Sequence, residues 1–125
     1  MATMCANPPN FIRISWENYE SSKELIDHGR DNAAANRLYY AVFQLLYMDM
    51  LNKGKLGIHS DRKHERIQSI AEEEYGAEIS ELFQNLKRLR VDADYSGRRV
   101  EREKLLSLKS QVDLKYEAIK KKVSA

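Results

Sequence analysis

The chain has 125 residues, 42% of them hydrophobic and 32% charged, which is typical of a single globular domain rather than a disordered chain. Its formal net charge is only +2, so overall charge does not by itself indicate a partner such as nucleic acid. The one cysteine, Cys5, excludes an intramolecular disulfide and fits a reducing compartment. No apolar run is long enough to span a membrane and no signal peptide is visible, so we expect a cytoplasmic protein without membrane contact.

The first part of the chain is predicted to contain a leader and one helix. Residues 1–12 include two adjacent prolines and are expected to form a flexible leader before a single domain over residues 13–125. Ser15 is the expected N-cap of the first helix. That helix is expected to end near Gly29, because glycine readily takes the left-handed conformation that terminates a helix.

Residues 31–51 are predicted to form the central helix of the domain. This segment lacks proline and glycine, and its apolar side chains fall on nearly every side of a helix, which is typical of a helix buried against several neighbours. Arg37 and Gln44 are seven residues apart and share its polar face. Because arginine is rarely buried without a partner, Arg37 is expected either to pair with a carboxylate at the rim or to face a functional groove.

Three further helices are predicted after a glycine-containing loop at residues 54–60. A short one runs to about residue 74 and carries few apolar residues. The next two, over about 77–94 and 98–121, each carry one apolar stripe at steps of three and four residues. No alternation typical of β-strands is present. The pattern predicts an all-α, up-down four-helix bundle with an additional short helix.

The segment RLRVDADY at residues 88–95 is the strongest candidate for chemistry. On a helix, Arg88 lies near Asp92 and Arg90 lies near Asp94, so the segment can form two surface ion pairs worth about 0.3–0.5 kcal/mol each. Alternatively, an arginine held by a carboxylate beside the Tyr95 hydroxyl could bind phosphate. Spacing alone favours the ion pairs, since short charge patterns are weakly specific.

Three segments together resemble the HEPN family of small helical-bundle proteins: AANRLYYAVFQLL at residues 34–46, GIHS at 57–60 and RLRVDADY at 88–95. The resemblance covers about residues 25–120. It implies homodimers formed through the helices that carry these segments, and binding of nucleotides or RNA. Many members are metal-independent ribonucleases, and several are toxins paired with a small nucleotidyltransferase that acts as antitoxin.

The resemblance assigns candidate roles to eight residues. Ligand or phosphate binding would fall to Arg37, Tyr40, Gln44, His59, Arg88 and Arg90, and catalysis, if present, to Arg90, Asp94 and Tyr95. Ribonucleases of the family carry a histidine a few residues after the arginine, but here Asp94 and Tyr95 stand there. A tyrosine hydroxyl, with an ordinary pKa near 10, is a poor base at neutral pH. Nucleotide or RNA binding is therefore favoured over an atypical ribonuclease or a noncatalytic dimerisation module, both of which stay open.

Two further expectations concern geometry and metals. Arg37 and the Arg90–Tyr95 tip of the fourth helix are expected to converge on one solvent-filled cleft. His64 lies between Lys63 and Glu65, so we expect an exposed side chain with no role. The three histidines and one cysteine lack the spacing of a metal site, so neither a metal nor another cofactor is predicted.

Overall fold

The computed structural model describes residues 8–56 and 62–124, and the side chains within 12–56 and 62–123. It contains five helices, and their bounds are α1 (Pro8–Asp27), α2 (Asp31–Asn52), α3 (Lys63–Tyr75), α4 (Ala77–Tyr95) and α5 (Arg102–Ser124). No strand occurs within the two described ranges. The predicted all-α bundle of four long helices and a short one, here α3, is confirmed. None of these helices is both long and apolar enough to cross a membrane.

Helix α2 forms the centre of the bundle. It contacts each of the other four helices, and its buried residues occur on nearly every side, from Ala34 to Met50. The prediction that α2 is buried against several neighbours is therefore confirmed. The side chains that keep partial exposure include Arg37, Tyr40 and Gln44, so polar and aromatic groups of α2 reach the surface along a narrow stripe.

Helix α1 begins earlier than the sequence suggested. It starts at Pro8, because a proline in the first turn lacks only an N–H that would have no helical partner there. The prediction of Ser15 as N-cap is wrong. Its side chain is buried within the helix, where the hydroxyl donates to the Ala41 carbonyl oxygen at 2.6 Å and lies 2.7 Å from the Tyr116 hydroxyl. These bonds join α1 to α2 and α5.

A buried polar network fixes the end of α3 against α2. The Tyr75 hydroxyl donates to the Asp49 carboxylate at 2.6 Å, and the Lys53 ammonium lies 2.8 Å from the same group. Asp49 is only 4% exposed. Burial, together with the hydrogen bond to Asp49, raises the pKa of Tyr75, so its hydroxyl stays protonated and continues to donate. The network holds α3 in register on α2, which determines where its other end meets the bundle.

Candidate functional site

The last turns of α4 place one arginine among three tyrosine rings. The guanidinium carbon of Arg90 lies 5.4 Å from the ring centroid of Tyr40, 5.6 Å from that of Tyr39 and 5.8 Å from that of Tyr95. These distances fall within the range of cation–π attraction. The Arg90 side chain is 17% exposed, whereas Tyr95 is 73% exposed. A mostly buried cation therefore reaches the surface beside an exposed aromatic face.

A carboxylate contacts the same guanidinium. Asp94 Oδ2 lies 3.1 Å from Arg90 Nε, yet this nitrogen makes no hydrogen bond of acceptable geometry, so the contact is an ion pair and not a directed hydrogen bond. The Asn36 amide donates to Asp94 at 3.1 Å. Among the described residues, no hydrogen bond engages the terminal nitrogens of Arg90. These donors are available to a ligand. We call Arg90, Tyr39, Tyr40, Asp94 and Tyr95 the Arg90 cluster.

His64 is half-buried against this cluster, so the expectation of an exposed side chain is wrong. It lies in the first turn of α3, its ring stacks on Phe43 with centroids 4.2 Å apart, and its Nδ1 lies 2.6 Å from the Tyr39 hydroxyl. The sequence did carry a signal. His64 precedes the buried Ile67 and Ala71 by three and seven residues, the spacing of one helix face.

The protonation state of His64 follows from its surroundings. Burial lowers the pKa of His64 to about 4, and the charges of Arg90, Lys63 and Lys87 act in the same direction. The ring is therefore neutral at pH 7. Burial raises the pKa of Tyr39, so that hydroxyl keeps its proton and can donate to Nδ1. In that arrangement the ring proton of His64 sits on Nε2.

Arg37 and Gln44 form a separate hydrogen-bond network with α1. Arg37 Nη1 donates to Asn18 Oδ1 at 3.2 Å, and Asn18 Nδ2 donates to Gln44 Oε1 at 2.8 Å. Arg37 also lines a groove of about 590 Å³ between α1 and α2. Within the described ranges, no hydrogen bond or ion pair joins this network to the Arg90 cluster, although Tyr40 of the cluster lies on the same stripe of α2 as Arg37 and Gln44. The convergence of Arg37 and Arg90 on one cleft stays a prediction.

Comparison with known proteins identifies the family. A family model for the HEPN domain matches residues 9–121. The chain belongs to the HEPN domain family. This family is associated with RNA binding and ribonuclease activity. No significant match was found among curated proteins or among solved structures.

The HEPN motif segments can now be placed on the fold. Tyr40, from the segment on α2, and Arg90, from the segment on α4, meet in the Arg90 cluster. His59, from the third segment, lies outside the described residues. Arg88 is exposed and lines a groove between α4 and α5, since two residues correspond to about 200° around a helix. Its predicted ion pair with Asp92 does not form, while that of Arg90 with Asp94 does.

The described part of this HEPN domain also lacks a cluster of three or more histidine, cysteine or acidic side chains that could hold a metal. The chemistry open to the Arg90 cluster is therefore that of its own side chains: the two terminal guanidinium nitrogens, which no described residue engages, the aromatic faces and a nearby neutral imidazole.

Proposed function

We propose that this HEPN domain binds phosphate groups of RNA or nucleotides at the Arg90 cluster. The observation that carries the proposal is a guanidinium held among three aromatic rings, whose terminal nitrogens make no hydrogen bond to any described residue. Ring packing restricts the arginine before a ligand arrives, which lowers the entropy cost of binding. The planar fork of a guanidinium matches two phosphate oxygens.

Tyr95 favours unpaired RNA over duplex as the larger ligand. Its ring is 73% exposed and lies 5.8 Å from the Arg90 guanidinium. An exposed aromatic face beside a cation can stack a base while the cation holds the adjoining phosphate. Sequence-specific RNA recognition usually relies on such splayed, single-stranded bases. The cluster is thus suited to a single-stranded segment or a mononucleotide.

A ribonuclease that uses Arg90, Asp94 and Tyr95 is the alternative, and the geometry supports it less. Metal-free cleavage needs a general base for the 2′-hydroxyl and an acid for the leaving oxygen. Among the described residues, the imidazole nearest the cluster is that of His64, whose Nδ1 lies against Tyr39 and whose pKa is about 4. In the free protein its imidazole is therefore a weak base, and almost no His64 carries the extra proton that a general acid needs at pH 7. We therefore expect binding without cleavage when purified protein is incubated with RNA in EDTA. Cleavage that disappears in Tyr95→Phe would establish the alternative.

The test of binding compares two arginines on α4. A rhodamine-labelled oligouridylate of about eight nucleotides is titrated with wild-type protein, Arg90→Ala and Arg88→Ala, with fluorescence anisotropy as readout. Arg90→Ala loses an arginine–phosphate contact, which should weaken binding about tenfold or more. The slope of log affinity against log salt concentration should also become shallower by about one. Arg88→Ala removes the same charge from another face and should change affinity less than about threefold. The proposal would be overturned if both variants lost the same affinity. It would also be overturned if Arg90→Ala kept wild-type affinity and an unchanged melting temperature.

We also propose that the protein acts in the cytoplasm as a two-fold homodimer, with a small nucleotidyltransferase as its partner in a toxin–antitoxin pair. HEPN membership supports this, as does the stripe of α2, where Arg37, Tyr40 and Gln44 keep partial exposure. A two-fold interface would bring this stripe against its own copy.

If this interface forms, Arg37→Glu should yield a monomer in analytical ultracentrifugation. A nucleotidyltransferase reading frame beside this one should give a protein that co-purifies when both are expressed. A monomeric wild-type protein would contradict the proposed dimer. A neighbouring reading frame that does not encode a nucleotidyltransferase would contradict the proposed partner.

A further inference from the structure

Positive charges surround His64 on two helices. Lys63 precedes it on α3, while Arg90 and Lys87 lie on α4. Burial lowers the pKa of His64 most, and each of these three charges lowers it further. The first turn of α3 adds the positive end of a helix dipole. The imidazole therefore lies in a region of positive potential. A bound anion would be stabilised there, and without an anion the protonation of His64 is unfavourable.

One tyrosine ring connects His64 with the ligand donors of Arg90. Tyr40 meets the imidazole edge-on with centroids 6.0 Å apart, and the Arg90 guanidinium carbon lies 5.4 Å from the same ring. Tyr40 and His64 are both partly exposed. The imidazole and the guanidinium thus border a single patch of surface and not two separate ones.

We propose that His64 is a second cationic group of this anion site, and that it takes up a proton when a phosphate binds beside Arg90. The inference rests on the proposed function. A bound phosphate offsets the charges of Arg90, Lys63 and Lys87, so protonation no longer adds to an uncompensated cationic region. Tyr39 does not prevent this step, because a hydroxyl can accept as well as donate. Nδ1–H then donates to the Tyr39 oxygen, and the imidazolium adds its charge to the site.

If binding is coupled to proton uptake by His64, the affinity for the phosphate ligand must increase as the pH falls. The pKa of His64 is about 4 in the free protein and higher in the complex, so the complex binds more protons. Affinity therefore rises as pH falls through the pKa of the complex, and levels off below pH 4. One coupled proton allows at most a tenfold change per pH unit. Burial raises the pKa of Tyr39, so its hydroxyl stays protonated across this window.

The experiment must separate His64 from Asp94, whose carboxyl group also faces the site. Asp94→Asn removes that carboxyl group and serves as the background for all variants. The probe is the rhodamine-labelled oligouridylate, since uracil and phosphodiesters do not titrate between pH 5 and 8. Dissociation constants are measured at pH 5 and pH 8 for three proteins. These are the Asp94→Asn variant, the same variant with His64→Gln, and the same variant with His28→Gln. His28 is an exposed histidine at the end of α1, so it is the matched control.

We expect affinity in the Asp94→Asn background to rise about fivefold or more from pH 8 to pH 5. The rise should disappear with His64→Gln and persist with His28→Gln. In wild-type protein, NMR titration of the His64 ring should show its pKa rise by about two units when the probe is added, the size of shift that a fivefold or larger change in affinity requires. This second measurement stands even if His64→Gln fails to fold. A pH effect that survives His64→Gln, or a His64 pKa unmoved by probe, overturns the inference. Binding unchanged in Arg90→Ala overturns the proposed function instead.

Discussion

Replacing Asp94 with asparagine should tighten RNA binding at the Arg90 cluster. The carboxylate lies 3.1 Å from Arg90 Nε and its side chain is 27% exposed. A phosphate on the terminal nitrogens would lie about 6 Å from it, a repulsion of about 0.7 kcal/mol in water and about 3 kcal/mol at an effective dielectric constant near 20. Partial exposure and salt reduce this to about 0.5–1 kcal/mol, which corresponds to about two- to fivefold in affinity. Asparagine keeps an oxygen that can accept from Asn36, so the local geometry should survive.

The assay is anisotropy with the labelled oligouridylate at about 50 and 150 mM salt, and the gain should shrink at the higher salt. The matched control is Asp92→Asn, which makes the same change in net charge at an exposed residue of the same helix. Its effect should be smaller than that of Asp94→Asn. Equal gains in both variants would show that only overall charge matters. Weaker binding by Asp94→Asn would show that the carboxylate is needed to hold Arg90 in place, and would refute the reasoning.

Three further predictions concern stacking and stability. Tyr95→Ala should weaken binding of single-stranded RNA by about 1–2 kcal/mol, or about five- to thirtyfold, because a stacking face is lost. Asp49→Ala should lower the free energy of unfolding by about 2–4 kcal/mol in urea titrations, because the buried Tyr75 hydroxyl loses its acceptor and a charged hydrogen bond disappears. Ser15→Ala should lower it by about 1–2 kcal/mol, since the buried Ala41 carbonyl and Tyr116 hydroxyl each lose a partner.

Each of these predictions has its own control. Tyr95→Phe keeps the ring and should bind as wild type does, and a loss equal to that of the alanine variant would exclude stacking. Tyr75→Phe added to Asp49→Ala should recover about 1 kcal/mol, because no unpaired hydroxyl then remains. A further loss of stability in the double variant would contradict the role given to the Tyr75–Asp49 hydrogen bond. Ser107 is exposed, so Ser107→Ala should leave stability unchanged, and an equal loss there would remove the argument for Ser15.

Helical periodicity was sufficient to predict the fold. The continuous apolar surface of residues 31–51 indicated the central helix, and the structure extends it by a single residue to Asn52. The start of α1 could not be found in this way. Ser15 has the side chain of an N-cap, but its partners Ala41 and Tyr116 come from α2 and α5. A local pattern cannot show a hydrogen bond across 101 residues.

The site was predicted only in part, for a geometric reason. Tyr40 and Arg90 were expected to share a site with Arg37. The structure brings the first two together, while Arg37 donates to Asn18 of α1. Both α1 and α4 pack against α2, so neighbouring side chains of one stripe can contact different helices. Sequence spacing gives positions around one helix, but it does not give the helix that covers each side. His64 was missed because its charged neighbours in sequence suggested an exposed face, although its spacing from Ile67 indicated the core side.

Mapping bound RNA on the protein surface by NMR tests the central claim most directly. Addition of unlabelled oligouridylate to isotopically labelled protein should shift the resonances of Tyr40, Arg90 and Tyr95, and leave those of Asn18 and Arg37 nearly unchanged. Shifts confined to the groove between α1 and α2 would place the ligand at Arg37 and Asn18 instead. That result would contradict the assignment of the Arg90 cluster as the binding site.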